Sequence, residues 1–490
     1  MGIALKNQDL LKSTGFYAGQ WQAAASGKEF PVLNPASGEL IVKVSDYGVD
    51  DADQAIRSAR QAFPAWRALT AKERSQLLMA WYQLILDNSE DLALLITTEQ
   101  GKPLTEARGE VAYAASFIQW FAEEAKRVYG DTIPSPWADS RIMVLRQPVG
   151  VVATITPWNF PAAMITRKAA PALAAGCPCV CKPAEETPLT ALALAVLARA
   201  AGIPDGVFNI VPSSQSQAVG EVLSTHPQVA MISFTGSTRV GKILLQQASG
   251  TVKKVAMELG GNAPFIVFDD ADLDAAIEGL MASKFRNNGQ TCVCANRILV
   301  QEGIYDAFSE RLIAAVDKLR VGQGQDEATS LGPMINQAGH RKVSTLVSSA
   351  LAGGAKSAYT GSLNAQDPAR FYPPTVLTDV EAGMAICTEE IFGPVAALQK
   401  FSTEEQAIAI ANDTTMGLAA YFYARDINRI WRVQEALEYG IVGVNKGLIS
   451  TEVAPFGGVK ESGLGREGSK YGLDEFLEMK YVLQGGLTSA

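Results

Sequence analysis

Apolar and polar positions follow two different rhythms along this chain. Over residues 51–66, 71–99 and 106–127, apolar side chains recur every three or four positions with charges between them, which predicts amphipathic helices. From residue 150 onward, short apolar and β-branched runs such as GVVATIT at 150–156 alternate with further helical patterns. Buried strands that alternate with helices at this spacing indicate a parallel, doubly wound α/β sheet.

A second series of the same kind is predicted from about residue 273. It includes a helix over 272–286 and an apolar strand over 297–300. Residues 129–150, by contrast, contain three prolines and no helical period, and predict a hairpin or arm on the surface. A strand-like stretch at 478–484 comes last.

Composition narrows the classes of protein. The 490 residues carry 42 basic and 51 acidic side chains, a formal net charge of -9, which disfavours nucleic acid as a partner. The longest apolar run, 189–198, is far shorter than the roughly 20 residues of a membrane span. The N-terminus has no apolar signal region. We therefore expect no membrane contact and a cytoplasmic protein, or a matrix protein if a transit peptide has been removed.

Histidine and cysteine are too sparse or wrongly spaced for most metal sites. There are two histidines and six cysteines, and no two cysteines have the C-x₂-C spacing. We therefore expect no bound metal. Cys177, Cys179 and Cys181 alternate along one predicted strand and are interpreted as small buried hydrophobic residues.

Two glycine-rich segments imitate phosphate loops. GSTRVGK at 236–242 has the glycine and lysine spacing of a P-loop, but Ile243 stands where Ser or Thr would hold magnesium. Because the segment follows a predicted strand and opens a helix, its free N–H groups suit a dinucleotide pyrophosphate instead. GLGREG at 463–468 matches G-x-G-x-x-G without a preceding buried strand, and is rejected as a dinucleotide fingerprint.

Three segments carry side chains suited to catalysis. Cys292 lies in the polar turn NNGQTCVCANR at 287–297, where a thiol is more exposed than in a strand interior. Glu258 ends an apolar strand before two glycines and suits a general base, although a surface role is the better explanation when the residue is taken alone. Asn159 follows the first strand of the sheet, and its amide can donate to a developing oxyanion.

Together these segments make the chain resemble the aldehyde dehydrogenase superfamily over essentially its whole length. The resemblance is carried by PWNFP at 157–161, KPAEETP at 182–188, FTGSTRVG at 234–241, MELGG at 257–261, GQTC at 289–292, EEIFGP at 389–394 and PFGGVKESGLGREG at 455–468. It implies an α/β fold of the aldehyde dehydrogenase type, with two doubly wound α/β domains and a β oligomerisation arm.

The resemblance also divides the chain. It implies an NAD-binding domain over 1–128 and 149–258, a catalytic domain over 259–447, and an oligomerisation arm and tail over 129–148 and 448–490. Members of the superfamily are homodimers or homotetramers, and the sequence leaves that choice open.

The implied reaction is oxidation of an aldehyde to a carboxylate with a nicotinamide cofactor. Cys292 attacks the aldehyde carbon as a thiolate, and the Asn159 amide with the Cys292 backbone N–H holds the oxyanion. After oxidation to a thioester, Glu258 activates the water that hydrolyses it. This scheme uses no histidine.

The cofactor contacts are carried over from the same motifs. The residues expected to bind the dinucleotide are Thr156, Pro157, Trp158, Lys182, Glu185, Gly236, Ser237, Gly241, Leu259, Glu390 and Phe392. A carboxylate at Glu185 accepts hydrogen bonds from both ribose hydroxyls but repels a 2′-phosphate. We therefore expect NAD to be preferred over NADP.

The substrate is predicted from two arginines and a serine. Arg167 and Arg286 occupy positions that border the substrate tunnel in the superfamily, and arginine there is typical of its succinate-semialdehyde dehydrogenase branch. Two guanidinium groups, with the Ser450 hydroxyl, would bind a distal carboxylate. The expected substrate is thus an anionic semialdehyde, succinate semialdehyde first, with glutarate semialdehyde or another ω-carboxylate aldehyde as the alternative.

The role of Cys294 stays open, and three alternative functions are weighed against the dehydrogenase. Cys294 lies two residues from Cys292, so a reversible oxidised bridge between them is conceivable. A non-catalytic binding protein on the same fold is expected to have lost Cys292 or Glu258, and neither is lost. A thiol hydrolase normally needs a histidine base, and an acylating enzyme that uses coenzyme A leaves Glu258 without a task.

Overall fold

The structure, a computed structural model, describes residues 3–487 and contains fifteen α-helices. The helices span Val49–Ala68, Ala71–Asp87, Ser89–Gln100, Leu104–Glu124, Ala163–Ala175, Pro188–Ala200, Ser216–Thr225, Thr238–Ser249, Leu273–Lys284, Tyr305–Val316, Gln337–Ala352, Ala385–Thr388, Glu404–Asn412, Ile427–Ala436 and Tyr471–Asp474. Among the described residues, no helix has the length and hydropathy needed to cross a bilayer.

The first large sheet has eight strands, and its centre is parallel. In spatial order its strands are Gln20–Gln22, Gly15–Tyr17, Phe208–Ile210, Cys179–Lys182, Val151–Ile155, Val229–Thr235, Lys254–Glu258 and Gly463–Leu464. Helices cover both faces, so nearly every residue of its central strands is buried, rather than every second one. The last strand comes from the tail and pairs antiparallel with the strand that ends at Glu258.

The second sheet has seven strands and is parallel except at one edge. Its strands, in spatial order, are Lys356–Thr360, Thr375–Thr378, Val395–Phe401, Ala295–Gln301, Ala263–Val267, Ala419–Tyr423 and Ile441–Val444. The prediction of doubly wound α/β architecture is confirmed by these two sheets and their helices.

Three smaller sheets complete the fold. Leu477–Gln484, Arg141–Pro148 and Asp131–Ile133 form an antiparallel sheet, where the sequence predicts an arm and a terminal strand. Two hairpin-like pairs join Glu29–Leu33 to Leu40–Ser45 and Met416–Gly417 to Val459–Lys460.

Two sequence predictions of elements were wrong. The stretch 71–99 is two helices, because Asn88 leaves helical geometry (φ -108°, ψ 20°) and its side chain donates to the carbonyl of Leu84 at 2.8 Å. The second α/β series begins at Ala263–Val267 rather than near residue 273. That strand pairs with Ala295–Gln301 and Ala419–Tyr423, so it belongs to the second sheet.

Candidate active site

A cavity of about 270 Å³ lies where the segments that follow three strands of the first sheet meet the loop that precedes Ala295–Gln301. The sequence-predicted residues that line it are Pro157, Trp158, Asn159, Gly236, Ser237, Leu259, Cys292, Glu390 and Phe392. Segments far apart in the chain, with catalytic and cofactor candidates among them, thus share one space.

Cys292 is presented by a strained turn. Asn287 and Asn288 have φ of 50° and 58°, and Gly289 has φ of 73° with room for no side chain, since a Cβ would lie 2.2 Å from the Gly393 carbonyl oxygen. Positive φ at non-glycine residues is costly and is common at functional sites. Burial raises the pKa of the Cys292 thiol to about 12, although two nearby guanidinium groups lower it. The thiol is therefore protonated at neutral pH in this state.

Asn159 is held from several sides. Its side-chain Nδ2 donates to the backbone carbonyl of Gln290 at 3.1 Å. The backbone carbonyl of Asn159 accepts from Lys102 Nζ at 2.7 Å and from Asn287 Nδ2 at 3.0 Å. An amide nitrogen carries two hydrogens, so one remains for an oxyanion. The bonds to Gln290 and Asn287 tie the Asn159 loop directly to the Cys292 loop.

A buried ion pair supports the Asn159 loop, and sequence reasoning missed it. Lys102 Nζ lies 2.5 Å from Glu110 Oε2, and both side chains are fully buried. Glu110 Oε1 also accepts from the backbone N–H groups of Ala162 and Ala163, at 2.9 and 3.3 Å. A glutamate on the apolar face of the predicted helix 106–127 was the available signal, because a buried carboxylate needs a partner.

Glu258 has no such support. Its side chain is 4% exposed, and neither carboxylate oxygen has a hydrogen-bond partner among residues 3–487. Burial, followed by the charge of Glu467, raises the pKa of Glu258 well above its usual value. Gly457 leaves it room, since a Cβ there would approach Glu258 Oε1 to 2.9 Å.

Arg167 already has a carboxylate partner. Its Nη2 lies 2.8 Å from Glu467 Oε2, and its guanidinium carbon lies 4.1 Å from the centre of the Phe456 ring. Burial lowers the pKa of Arg167, but the surrounding charges, with Glu467 first, together outweigh it, so the net shift is upward. Lys168 also pairs with Glu467. Two adjacent cations in the apolar segment 163–175 were the signal for a buried acid that sequence reasoning did not use.

Arg286 and Ser450 are less enclosed. The Arg286 guanidinium carbon lies 5.3 Å from the centre of the Phe160 ring, and its side chain borders a second cavity of about 450 Å³. The charges of Arg167 and Arg286 both lower the pKa of the Cys292 thiol. Ser450 is half-buried, and the hydrogen bonds of the described residues do not join it to either arginine.

The glycine-rich turn at 236–241 leads directly into a helix. Ser237 caps the helix Thr238–Ser249, its Oγ accepting from the backbone N–H of Val240 at 3.4 Å. Gly241 packs against Leu259 so closely that a Cβ would lie 2.4 Å from Cδ2. A helix N-terminus reached by close-packed backbone fits a dinucleotide pyrophosphate.

Two residues expected to contact the cofactor, Thr156 and Glu390, carry buried oxygens, and Glu390 lines the cavity. Thr156 Oγ1 and Glu390 Oε1 are buried without hydrogen-bond partners in the described part of the chain, and burial raises the pKa of Glu390 to about 7. The rings of Trp158 and Phe392 meet edge to face, with centroids 5.7 Å apart. Unsatisfied buried oxygens beside aromatic rings fit the ribose and ring of a nicotinamide.

Lys182 and Glu185 lie beside each other. Lys182 Nζ is 3.7 Å from Glu185 Oε2, which also accepts from the Ser216 hydroxyl at 3.0 Å. The Glu185 side chain is 42% exposed, so its carboxylate is open to a ligand. Burial lowers the pKa of Lys182, and Glu185 acts against that shift.

Cys294 lies deeper than its loop position predicts. It is 6% exposed, and its Sγ lies 3.4 Å from Nζ of the buried Lys284. Burial raises the pKa of the Cys294 thiol, and Lys284 lowers it. All six cysteines are free, and a bridge between Cys292 and Cys294 stays a prediction.

Comparison with known proteins agrees with this geometry. The aldehyde dehydrogenase family model matches residues 21–482. The 3-sulfolactaldehyde dehydrogenase of Pseudomonas putida is 57% identical over 99% of each chain. The glutarate-semialdehyde dehydrogenase of the same species is 57% identical over 98% of this chain and 99% of its own. The succinate-semialdehyde dehydrogenase [NADP(+)] GabD of Escherichia coli is 56% identical over 99% and 100%.

Solved structures show that the fold is also that of an aldehyde dehydrogenase. The crystal structure of succinate-semialdehyde dehydrogenase from Burkholderia pseudomallei superposes with a TM-score of 0.97 at 56% identity, covering 98% of this chain and 100% of that one. Fold and sequence together define an oxidoreductase of the aldehyde dehydrogenase type. The chain belongs to the aldehyde dehydrogenase family.

Proposed function

We propose that this protein oxidises a short aldehyde with a distal carboxylate, succinate semialdehyde first, to the dicarboxylate. The observation that carries the proposal is the presence of two arginines, Arg167 and Arg286, whose charges both act on Cys292. Guanidinium groups bind carboxylates through paired, charge-assisted hydrogen bonds. Relatives named for succinate and glutarate semialdehyde support this substrate class, and the relative named for 3-sulfolactaldehyde extends it to another anion.

The proposed chemistry follows from three side chains. The Cys292 thiol releases its proton to solvent water, and its sulfur bonds to the aldehyde carbon while the carbonyl π electrons move to the oxygen, giving a tetrahedral thiohemiacetal anion. The remaining Nδ2 hydrogen of Asn159 is donated to the oxyanion. Once a thioester has formed, Glu258 takes a proton from water, which attacks the thioester carbon and releases the acid.

A nicotinamide dinucleotide, when bound, supplies the two-electron oxidant. The residues proposed to hold it are those of the cavity, with the helix N-terminus at Ser237 for the pyrophosphate and Glu390 for the nicotinamide ribose. The orphaned Thr156 and Glu390 oxygens support this fit.

We further propose that NAD is preferred over NADP. The open Glu185 carboxylate accepts hydrogen bonds from ribose hydroxyls and repels a 2′-phosphate, whereas the Escherichia coli relative carries NADP(+) in its name. The test is kcat/KM with each cofactor for wild type and Glu185→Gln. We expect a ratio in favour of NAD that falls in the variant, and a wild-type ratio of one or less would overturn the preference.

A substrate panel tests the proposed activity. Succinate semialdehyde, glutarate semialdehyde, 3-sulfolactaldehyde and the neutral aldehyde butanal are compared by formation of reduced nicotinamide. We expect succinate semialdehyde to have the highest kcat/KM, with glutarate semialdehyde next because one methylene changes binding by only about 1–3 kcal/mol. The absence of reduced nicotinamide with every aldehyde would favour a non-catalytic protein or a hydrolase.

The chain division and assembly remain part of the proposal. We assign the cofactor domain to 1–128 and 149–258, the catalytic domain to 259–447, and the arm and tail to 129–148 and 448–490. Exposed Met479 and Tyr481 on the three-stranded sheet suit contact with a second copy. We therefore expect a homodimer or homotetramer by light scattering, and a monomer would overturn this.

The proposed location is the cytoplasm. Six free cysteines suit a reducing compartment. Fractionation of the source cells, followed by immunoblotting, tests the assignment.

A further inference from the structure

One buried polar group near the nucleophile has no task in the proposed mechanism. Tyr113 lies on the helix Leu104–Glu124, and its hydroxyl oxygen is buried without a hydrogen-bond partner among residues 3–487. Buried tyrosine hydroxyls usually find a partner, because leaving one unpaired costs stability. An unpaired one close to a substrate site therefore calls for an explanation.

The Tyr113 ring belongs to the wall that carries Arg167. It meets the Phe117 ring edge to face, with centroids 4.9 Å apart and planes at 72°. The Arg167 guanidinium carbon lies 5.4 Å from the centre of that same Phe117 ring. Arg167 Nε is also buried and unpaired in the described chain. Two orphaned donors thus belong to residues that both lie next to the Phe117 ring.

The charges of both arginines and of the nucleophile act on this hydroxyl. Burial raises the pKa of Tyr113, and the charges of Arg167 and Arg286 lower it, while Cys292 acts in the opposite sense. The phenol therefore stays a neutral donor at physiological pH. It lies in the field of the two cations proposed to bind the substrate.

We propose that the Tyr113 hydroxyl donates a hydrogen bond to the distal carboxylate of the substrate and so determines specificity beside Arg167 and Arg286. This inference rests on the proposed function. Arg167 is already neutralised in part by Glu467 at 2.8 Å, so an added neutral donor strengthens carboxylate binding without adding a buried charge. The bond would also satisfy the oxygen that the free protein leaves unpaired.

Tyr113→Phe tests the inference because it removes the oxygen alone. We expect KM for succinate semialdehyde to rise about ten- to a hundred-fold, the usual range for a hydrogen bond to a charged group, with kcat nearly unchanged. Competitive inhibition by succinate should weaken by the same factor, whereas kcat/KM for butanal should not fall. The matched control is Tyr82→Phe, because Tyr82 is also half-buried and packs against the same apolar core that contains Phe117.

The outcomes separate this inference from the proposed function. An unchanged KM and an unchanged succinate inhibition constant in Tyr113→Phe would overturn it. An equal loss on butanal would also overturn it, since that result indicates a structural role. If the wild type itself does not prefer succinate semialdehyde to butanal, the proposed function fails instead.

Discussion

The two side chains proposed to act with Cys292, those of Asn159 and Glu258, are held in opposite ways. The Asn159 segment is fixed by hydrogen bonds that its backbone carbonyl accepts from Lys102 and Asn287 and by one that its side chain donates to the Gln290 carbonyl. Glu258, in contrast, is buried with both oxygens free of hydrogen-bond partners within the described residues. The proposed oxyanion donor, Asn159, is thus held in position by hydrogen bonds, whereas the carboxylate of the proposed base, Glu258, makes none.

The difference matches the two tasks. An oxyanion donor is effective when its position does not change during the reaction. A carboxylate that accepts several hydrogen bonds has a low pKa and is a poor base, whereas one buried without donors has a raised pKa. The raised pKa of Glu258 is therefore a consequence of the same absence of contacts that leaves the side chain unrestrained.

The largest loss of activity is expected for Glu258→Gln, which removes the proposed base and leaves the hydrogen bonds of Asn159 unchanged. We expect steady-state kcat to fall by about 10²–10⁴, because the thioester is no longer hydrolysed. A burst of reduced nicotinamide of one equivalent per site should persist, and stopped-flow absorbance measures it. Since Glu258 makes no hydrogen bond, the unfolding midpoint should change little. Loss of the burst together with kcat would contradict the division of tasks.

A smaller loss of activity with a clear loss of stability is expected for Lys102→Met. The change leaves the fully buried Glu110 carboxylate without its cation, which costs about 3–5 kcal/mol in free energy of unfolding. It also loosens the Asn159 loop, so kcat should fall by up to about a hundred-fold. Denaturant unfolding and burst kinetics measure the two effects.

Lys102→Met combined with Glu110→Gln provides the control for that prediction. Glutamine keeps an oxygen for the Ala162 and Ala163 N–H groups and removes the unpaired charge. Stability should recover in part while kcat stays low. Recovery of both would mean that Lys102 contributes to stability only.

The pH dependence of deacylation tests the proposed role of Glu258 as the base. Glu258 works as a base only when deprotonated, so kcat should increase as pH rises through its raised pKa. The Glu467 charge is the second cause of that rise, so Glu467→Gln should move the acidic limb of the kcat profile to lower pH. Glu258→Gln, the control, should lose the limb. A limb that stays in place in Glu467→Gln would contradict the assignment.

The smallest effect is expected at Cys294. If Cys294 forms a bridge with Cys292, peroxide inactivation should be reversed by dithiothreitol in the wild type and not in Cys294→Ala. Its burial against Lys284 predicts a slow reaction. Equal reversibility in both proteins would remove the bridge, and basal kcat should be nearly the same in both.

The regular elements followed from the sequence where a pattern was local. The run 150–156 and its successors are strands because their apolar, β-branched residues are buried on both faces. The break at Asn88 was missed because apolar spacing continues across it. The assignment of Ala263–Val267 to the second sheet was missed because strand partners are not encoded in the strand's own pattern.

The sequence by itself determined the family of the chain and which side chains are candidates for its chemistry, because motifs such as GQTC and MELGG record residue types at fixed local spacing. Only the tertiary structure decided how those groups are supported. Lys168 meets Glu467 across 299 residues, and Asn159 meets Gln290 across 131. Such contacts set burial, charge and pKa, which depend on distance in space and not on position along the chain.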